Sequence, residues 1–271
     1  MRIMRSSVVI VFLVTLIAFC GVFVIKNART DETIPEIIIE NDFIEVSCNA
    51  TDEELLKGVT ATDGKDGDLT SEIIVESISR FIKPGVCEVI YAVCDSDNHV
   101  AHAKRTLGYT DYIPPRFKLN ESLCFSLYEN VNLNSCIGAV DKIEGDISAN
   151  VVITSPDYTS SVTGVFTLEL TVNNKKGDIS RLSLPLIIEE RNLSAPKIEL
   201  KEYLVYVKEG QTVDFGDYIV KATSKNEEDL TSFVRIDDNV NFNTSGTYIV
   251  NYFVTDKNGA QGHSVLYIVV E

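Results

Sequence analysis

The sequence predicts an all-β chain: three small β-sandwiches in tandem behind one N-terminal transmembrane helix. The sandwiches follow from a repeated hairpin. Gly246-Thr-Tyr-Ile-Val-Asn-Tyr-Phe-Val-Thr-Asp-Lys-Asn-Gly259 recurs in weaker form, without gaps, as Gly85-Val-Cys-Glu-Val-Ile-Tyr-Ala-Val-Cys-Asp-Ser-Asp-Asn98 and Gly164-Val-Phe-Thr-Leu-Glu-Leu-Thr-Val-Asn-Asn-Lys-Lys-Gly177. Each copy alternates apolar with mixed residues for about eight positions, the period of a half-buried strand. Each then breaks into an Asx/Gly turn. The strand resumes over Val100–Leu107, Ile179–Ile188 and Ser264–Val270. A repeat of about 80 residues suits one small sandwich per copy. In the third copy Tyr248, Val250, Tyr252 and Val254 form the inward face.

The helix follows from Ser6 to Ile25, an uncharged run flanked by Arg2 and Arg5 before it and Lys26 and Arg29 after it. A helix of about 20 residues spans about 30 Å, the thickness of the hydrocarbon layer. A cleaved secretory signal competes with this reading, but its apolar region is normally about 7 to 15 residues, and no small-x-small cleavage site is present. A lipid-modified Cys20 lacks the small residue required directly before it, since Phe19 stands there. The expected organisation is a cytoplasmic tail (1–5), a transmembrane anchor (6–25), a linker (26–33) and domains at 34–112, 113–191 and 192–271. Basic residues balance across the helix, so the positive-inside rule gives no majority. The short preceding tail favours an inside N-terminus with the β-domains extracytoplasmic.

Along the chain, short strands alternate with turn signals. Strands are expected near Glu36–Glu40, Phe43–Val46, Ser71–Ile78, Phe125–Tyr128, Val151–Ser155, Tyr203–Val207 and Phe233–Ile236, with one helical turn at Asp52–Lys57. Pro114 and Pro115 make a stiff extended connector. Strands at this spacing indicate sandwiches.

The order Ala61-Thr-Asp63, Asp66-Gly-Asp-Leu-Thr70, Gly85-x-x-x-Val-x-Tyr-x-Val-x-Asp95 and Asn98 resembles the bacterial Ig-like repeats of surface proteins and of some pesticidal crystal proteins. The third copy, Gly-Thr-Tyr-x-Val-x-Tyr-x-Val-Thr-Asp-x-Asn-Gly from Gly246, is nearest to that pattern, and three copies cover nearly all of 34–271. The second departs most, with Leu170 in place of Tyr91 and Tyr252, and Asn174 in place of Asp95 and Asp256. The resemblance implies Ig-like Greek-key sandwiches of roughly seven strands, used as spacers or binding modules at the cell surface. It implies no common active site.

Forty acidic residues against 24 basic ones give a formal charge of −16. Nucleic acid is excluded as a partner, because phosphates need a basic stripe. Asp63, Asp66 and Asp68 are the candidate metal ligands, with calcium as the ion, since hard cations need several converging carboxylate oxygens. Competing with this, Asp68, Asp146 and Asp229 recur before Leu/Ile and Thr/Ser, as turn-shaping aspartates do. No other cofactor is expected. Six cysteines lack any Cys-x-x-Cys pair, so no zinc site is expected. Cys48–Cys87 and Cys124–Cys136 are possible bridges in an oxidising compartment. His99, His102 and His263 stand in no catalytic motif, and no catalytic residue is assigned. The expected function is non-enzymatic: adhesion to, or recognition of, a surface protein or glycan. The alternatives are a ligand-free envelope spacer and an extracytoplasmic accessory part of an enzyme or toxin system.

Overall fold

A computed structural model describes residues 2–29, 33–155, 158–192 and 194–271, and within the first helix the side chains of 11–24. Helix α1 (Arg2–Arg29) is longer than the expected anchor and takes in the first residues of the expected linker. The rest of that linker, 30–32, lies outside the described residues. Among the described residues no helix is long and apolar enough to cross a membrane. The described side chains, 11–24, amount to about 21 Å of helix at about 1.5 Å per residue. A transmembrane role for 6–25 is therefore not established by the fold.

The chain divides into two compact units, 1–110 and 111–271. In the first, β1 (Glu36–Ile39), β3 (Val59–Asp63) and β4 (Gly67–Asp68) form one sheet. The second sheet has the order β2 (Phe43–Val46), β7 (Val100–Tyr109), β6 (Val86–Cys94), β5 (Ile74–Ile78). Helix α2 (Asp52–Leu55) is the expected single turn, closed by a capping box between Thr51 and Glu54. Alternation buries Cys87, Val89, Tyr91 and Val93 of β6 with Val59 and Ala61 of β3, so the two sheets share one core.

The second unit repeats this plan twice. Strands β8 (Arg116–Leu119), β10 (Ile137–Asp141) and β11 (Gly145–Asp146) form one sheet. The order β12 (Val152–Thr154), β13 (Gly164–Asn173), β14 (Ile179–Glu189), β9 (Cys124–Ser126) forms the other, and the single-turn helix α3 (Leu133–Cys136) precedes β10. Then β15 (Lys197–Leu200) pairs with β17 (Ile219–Thr223), and a four-stranded sheet has the order β16 (Leu204–Val207), β20 (Gln261–Val270), β19 (Gly246–Thr255), β18 (Arg235–Asp238).

One pairing departs from an all-antiparallel Greek key. Strands β2, β9 and β16 run parallel to β7, β14 and β20 respectively. Residues 40–42 separate β1 from β2, and across them the chain passes from one sheet to the other. The strand expected over Ser71–Ile78 begins at Ile74, because Ser71 and Glu72 belong to a 3-10 turn over Thr70–Glu72. Of the four expected inward residues, Val250, Tyr252 and Val254 are buried and Tyr248 is half-buried at the sandwich end.

The tyrosine of the repeat has a polar task. Tyr91 donates its hydroxyl to the Leu55 carbonyl at 2.7 Å, and Tyr252 donates to the Phe215 carbonyl at 2.9 Å. Each ties the core hairpin to the short helical turn opposite. Leu170 in the second copy fills the same space without such a bond and is 1% exposed.

The second and third strand sets share apolar packing. Leu204, Val265 and Tyr267 join the core built by Phe117, Leu168 and Leu186. Tyr267 is fully buried and donates to the Pro185 carbonyl, Tyr206 accepts from the Phe117 amide at 3.1 Å, and Ser122 accepts from the Val265 amide at 2.9 Å.

Candidate functional site

The aspartates singled out in the sequence hold the turns. Asp63 accepts the amides of Lys65 and Asp66 at 2.8 and 2.9 Å and the Thr33 hydroxyl at 3.2 Å. Asp66 accepts the Ser96 amide and hydroxyl, joining the acidic turn to the hairpin turn. Asp68 accepts the Thr70 amide at 2.9 Å. Asp146 and Asp229 do the same for Ser148 and Thr231, each at 2.9 Å. The hydroxyls of Thr70, Ser148 and Thr231 in turn accept the amides of the buried alanines Ala61, Ala139 and Ala222. Hydrogen bonds from Thr70 hold the Asp68 carboxyl below its ordinary value, and the amides of Asp66 and Lys65 do so for Asp63.

Another set of side chains converges where the sequence shows nothing. Among the described residues, the group of three or more potential metal ligands whose donor atoms all lie within 4.8 Å of one another is Cys124, Glu189 and His263. They come from the start of β9, the last residue of β14 and the start of β20. His263 Nδ1 lies 2.9 Å from Glu189 Oε2 and 3.2 Å from Cys124 Sγ. Its Nε2 lies 3.1 Å from Asn251 Oδ1. Antiparallel register puts Phe253 directly across from His263, and the rings stack at 4.3 Å. Arg235, opposite Phe253 on the next strand, lies over the Phe253 ring, 4.9 Å from its centroid. Gly262 lets the preceding connector approach β20: a Cβ there would meet the Pro196 carbonyl oxygen at 2.1 Å.

Arg191 closes the cluster. Its Nη2 donates to Glu189 Oε1 at 2.8 Å and to Cys124 Sγ at 3.1 Å. Burial pushes the Glu189 carboxyl up, but hydrogen bonds from His263 and Arg191 overcome it and hold the group at about 2. Burial first, and the Glu189 charge second, push the Cys124 thiol up to about 12 against the pull of Arg191. A thiol so held is not a thiolate nucleophile, although it sits beside a histidine.

An open cleft of about 680 Å³ is lined by Cys124, His263 and Arg191 of this cluster and also by Glu121, Tyr128, Glu129 and Asn192. Tyr128 is 75% exposed and has φ 63, a left-handed backbone that a bulky residue rarely adopts. Its amide donates to the Ser160 carbonyl at 2.7 Å, which fixes that geometry. Ser264, also on the cleft, is 2% exposed, and its hydroxyl has no hydrogen-bond partner among the described residues.

Among the described residues no disulfide is formed, so neither the Cys48–Cys87 nor the Cys124–Cys136 bridge is present. Cys124 belongs to the cluster, while Cys136 donates to Glu121 at 2.9 Å and to the Asn132 carbonyl at 3.2 Å. His99 serves its own hairpin turn, 2.8 Å from Asp95, and His102 lies 3.4 Å from Glu76. In the sequence His263 stands only beside the hairpin turn, just before the strand from Ser264. Its partners are 74 and 139 residues away, and no local spacing could announce them.

The split first strand, the core hairpin and the turn aspartates are present together in the third strand set. Residues 201–270 match the family model of the bacterial surface protein Ig-like domain. The pesticidal crystal protein Cry22Aa of Bacillus thuringiensis is 25% identical over 221 residues, which are 79% of this chain and 30% of that protein. An 81.3 kDa protein of Acholeplasma phage L2 is 29% identical over 136 residues, 49% of this chain and 18% of that protein. The chain thus spans less than a third of the length of these curated relatives. Among solved structures, the CBM51-2 and INT domains of Clostridium perfringens ZmpB align at 21% identity and a TM-score of 0.22, covering 53% of this chain and 25% of that one. Human CDH23 EC21-23 aligns at 13% identity and a TM-score of 0.22, covering 87% and 100%.

Proposed function

We propose that this chain is a membrane-anchored surface recognition module, in which tandem Ig-like sandwiches present the cleft lined by Cys124, Tyr128 and His263 to a ligand outside the cell. The anchor reading rests on the uncharged run 6–25 inside α1, and the surface location on the family matched at 201–270. The observation that carries recognition is Tyr128: an exposed ring on strained backbone lining a cleft of mixed polar and apolar character. Strain of this kind persists where surrounding structure imposes it, and it clusters at ligand sites. A flat ring beside Glu121, Glu129 and Asn192 suits a sugar, whose C–H face stacks on the ring while its hydroxyls bond to carboxylate and amide. A glycan is therefore favoured over a protein partner.

The test is binding of the full chain, in detergent or lipid discs, to glycan arrays and envelope polysaccharide. Tyr128→Gly removes the ring and relieves the backbone strain together. It should cut glycan binding at least tenfold while the melting temperature holds or rises. Equal binding by the variant, or none by the parent, would sink this reading in favour of a spacer. The Cry22Aa match over 79% of this chain supports a second reading, an accessory module of a toxin system. That reading predicts affinity for host-surface glycans over the bacterium's own envelope.

A further inference from the structure

We propose that Cys124, Glu189 and His263 form a zinc(II) site at the edge of the cleft, which Cys124 and His263 line. The donor set is one that zinc takes: thiolate sulfur, imidazole nitrogen and carboxylate oxygen. In a tetrahedral zinc site with bonds of about 2.0 to 2.3 Å, neighbouring donor atoms stand about 3.3 to 3.6 Å apart. The donors are now 3.2 Å (Sγ to Nδ1) and 2.9 Å (Nδ1 to Oε2) apart, a few tenths of an ångström short of that spacing, and all three lie within 4.8 Å of one another.

A second set of contacts points the same way. A metal-bound histidine usually gives its other ring N–H to an acceptor, which fixes tautomer and orientation. His263 Nε2 has Asn251 Oδ1 at 3.1 Å, and the ring is clamped against Phe253 at 4.3 Å. With Nε2 protonated and bonded to Asn251, Nδ1 releases the proton it gives to Glu189, and Cys124 its thiol proton, to solvent as the ion binds, which leaves both as ligands. Arg191 bonds Glu189 through Oε1, which leaves Oε2 for the ion, and its N–H to Cys124 Sγ is the kind of bond a zinc-bound thiolate accepts. Two anionic ligands and one neutral one balance the dication. Calcium does not suit sulfur and imidazole, so this is a separate ion from the one weighed at the acidic turns. Because β9 and β14 belong to the second strand set and β20 to the third, the ion ties the two sets together beside the cleft.

The experiment uses tag-free full-length protein, reduced and stripped with a chelator, then titrated with cobalt(II) and back-titrated with zinc(II). Expected are one cobalt per chain, visible bands of a four-coordinate site, and a near-ultraviolet thiolate-to-cobalt band that zinc abolishes. Cys124→Ser should lose that band, whereas Cys136→Ser, a buried cysteine outside the cluster, should keep it. Asn251→Ala should weaken zinc about 10- to 100-fold by freeing the histidine ring. Circular dichroism of each variant confirms folding. The proposal is overturned if folded parent binds no cobalt, or if the thiolate band survives in Cys124→Ser and therefore comes from another cysteine.

Discussion

Asp68, Asp146 and Asp229 show how one residue type recurs for a local reason. Each accepts the amide two positions on, and the Thr or Ser there accepts the amide of a buried alanine. The motif Asp-Leu/Ile-Thr/Ser is thus a clasp between the acidic turn and the strand before it. Thr231→Val keeps the shape but leaves the Ala222 amide unpaired in the core, which should cost about 1–3 kcal/mol in chemical denaturation. Because Asp63, Asp66 and Asp68 already accept protein hydrogen bonds, we propose a turn-shaping role for them. The melting temperature should then be the same in EDTA and in millimolar calcium; a calcium-dependent rise would restore the ion. The clasp was legible in the sequence because its parts lie nine residues apart. The Cys124–Glu189–His263 cluster was not, because the absence of Cys-x-x-Cys says nothing about ligands brought together by folding.

The hairpin is the element through which these contacts reach one another. Its alternation put Val250, Tyr252 and Val254 in the core and placed Phe253 outward, where register sets it against His263. Strand ends then carry the chemistry: Glu189 is the final residue of β14, and Cys124 opens β9 beside it. The Glu189 carboxyl, ordinarily near 4.5, is held at about 2 in the folded chain. Its stabilising contribution is therefore complete above its ordinary value and is lost as pH falls from there towards the folded value. Thermal melts between pH 7 and 2.5 should show this as an acid limb that is shallower in Glu189→Gln. The variant should also be less stable at neutral pH, with His263 and Arg191 deprived of their acceptor. A limb of unchanged slope would remove Glu189 from the acid response.

Across the whole molecule, residues 111–271 pack two strand sets around a shared cluster. Tyr267 stands at its centre, fully buried, with its hydroxyl on Pro185. Tyr267→Ala should destabilise this unit by about 3–5 kcal/mol through cavity and lost hydrogen bond. Calorimetry should show the second and third sets unfolding in one transition that moves with this substitution, while the transition of 1–110 stays in place. Separate transitions for 113–191 and 192–271 would show the shared packing to be too weak to couple them.

By itself the sequence determined the strands, the turns and the threefold repeat, because alternation and Asx chemistry act within about ten residues and are written locally. It also held the uncharged run that became part of a single long helix. The tertiary structure decided which ends of those strands meet. Cys124, Glu189 and His263, the cleft that Cys124 and His263 line and the shared core around Tyr267 all depend on how one sandwich packs on the next. That packing is set by residues 139 and 143 positions apart, and no local period records it.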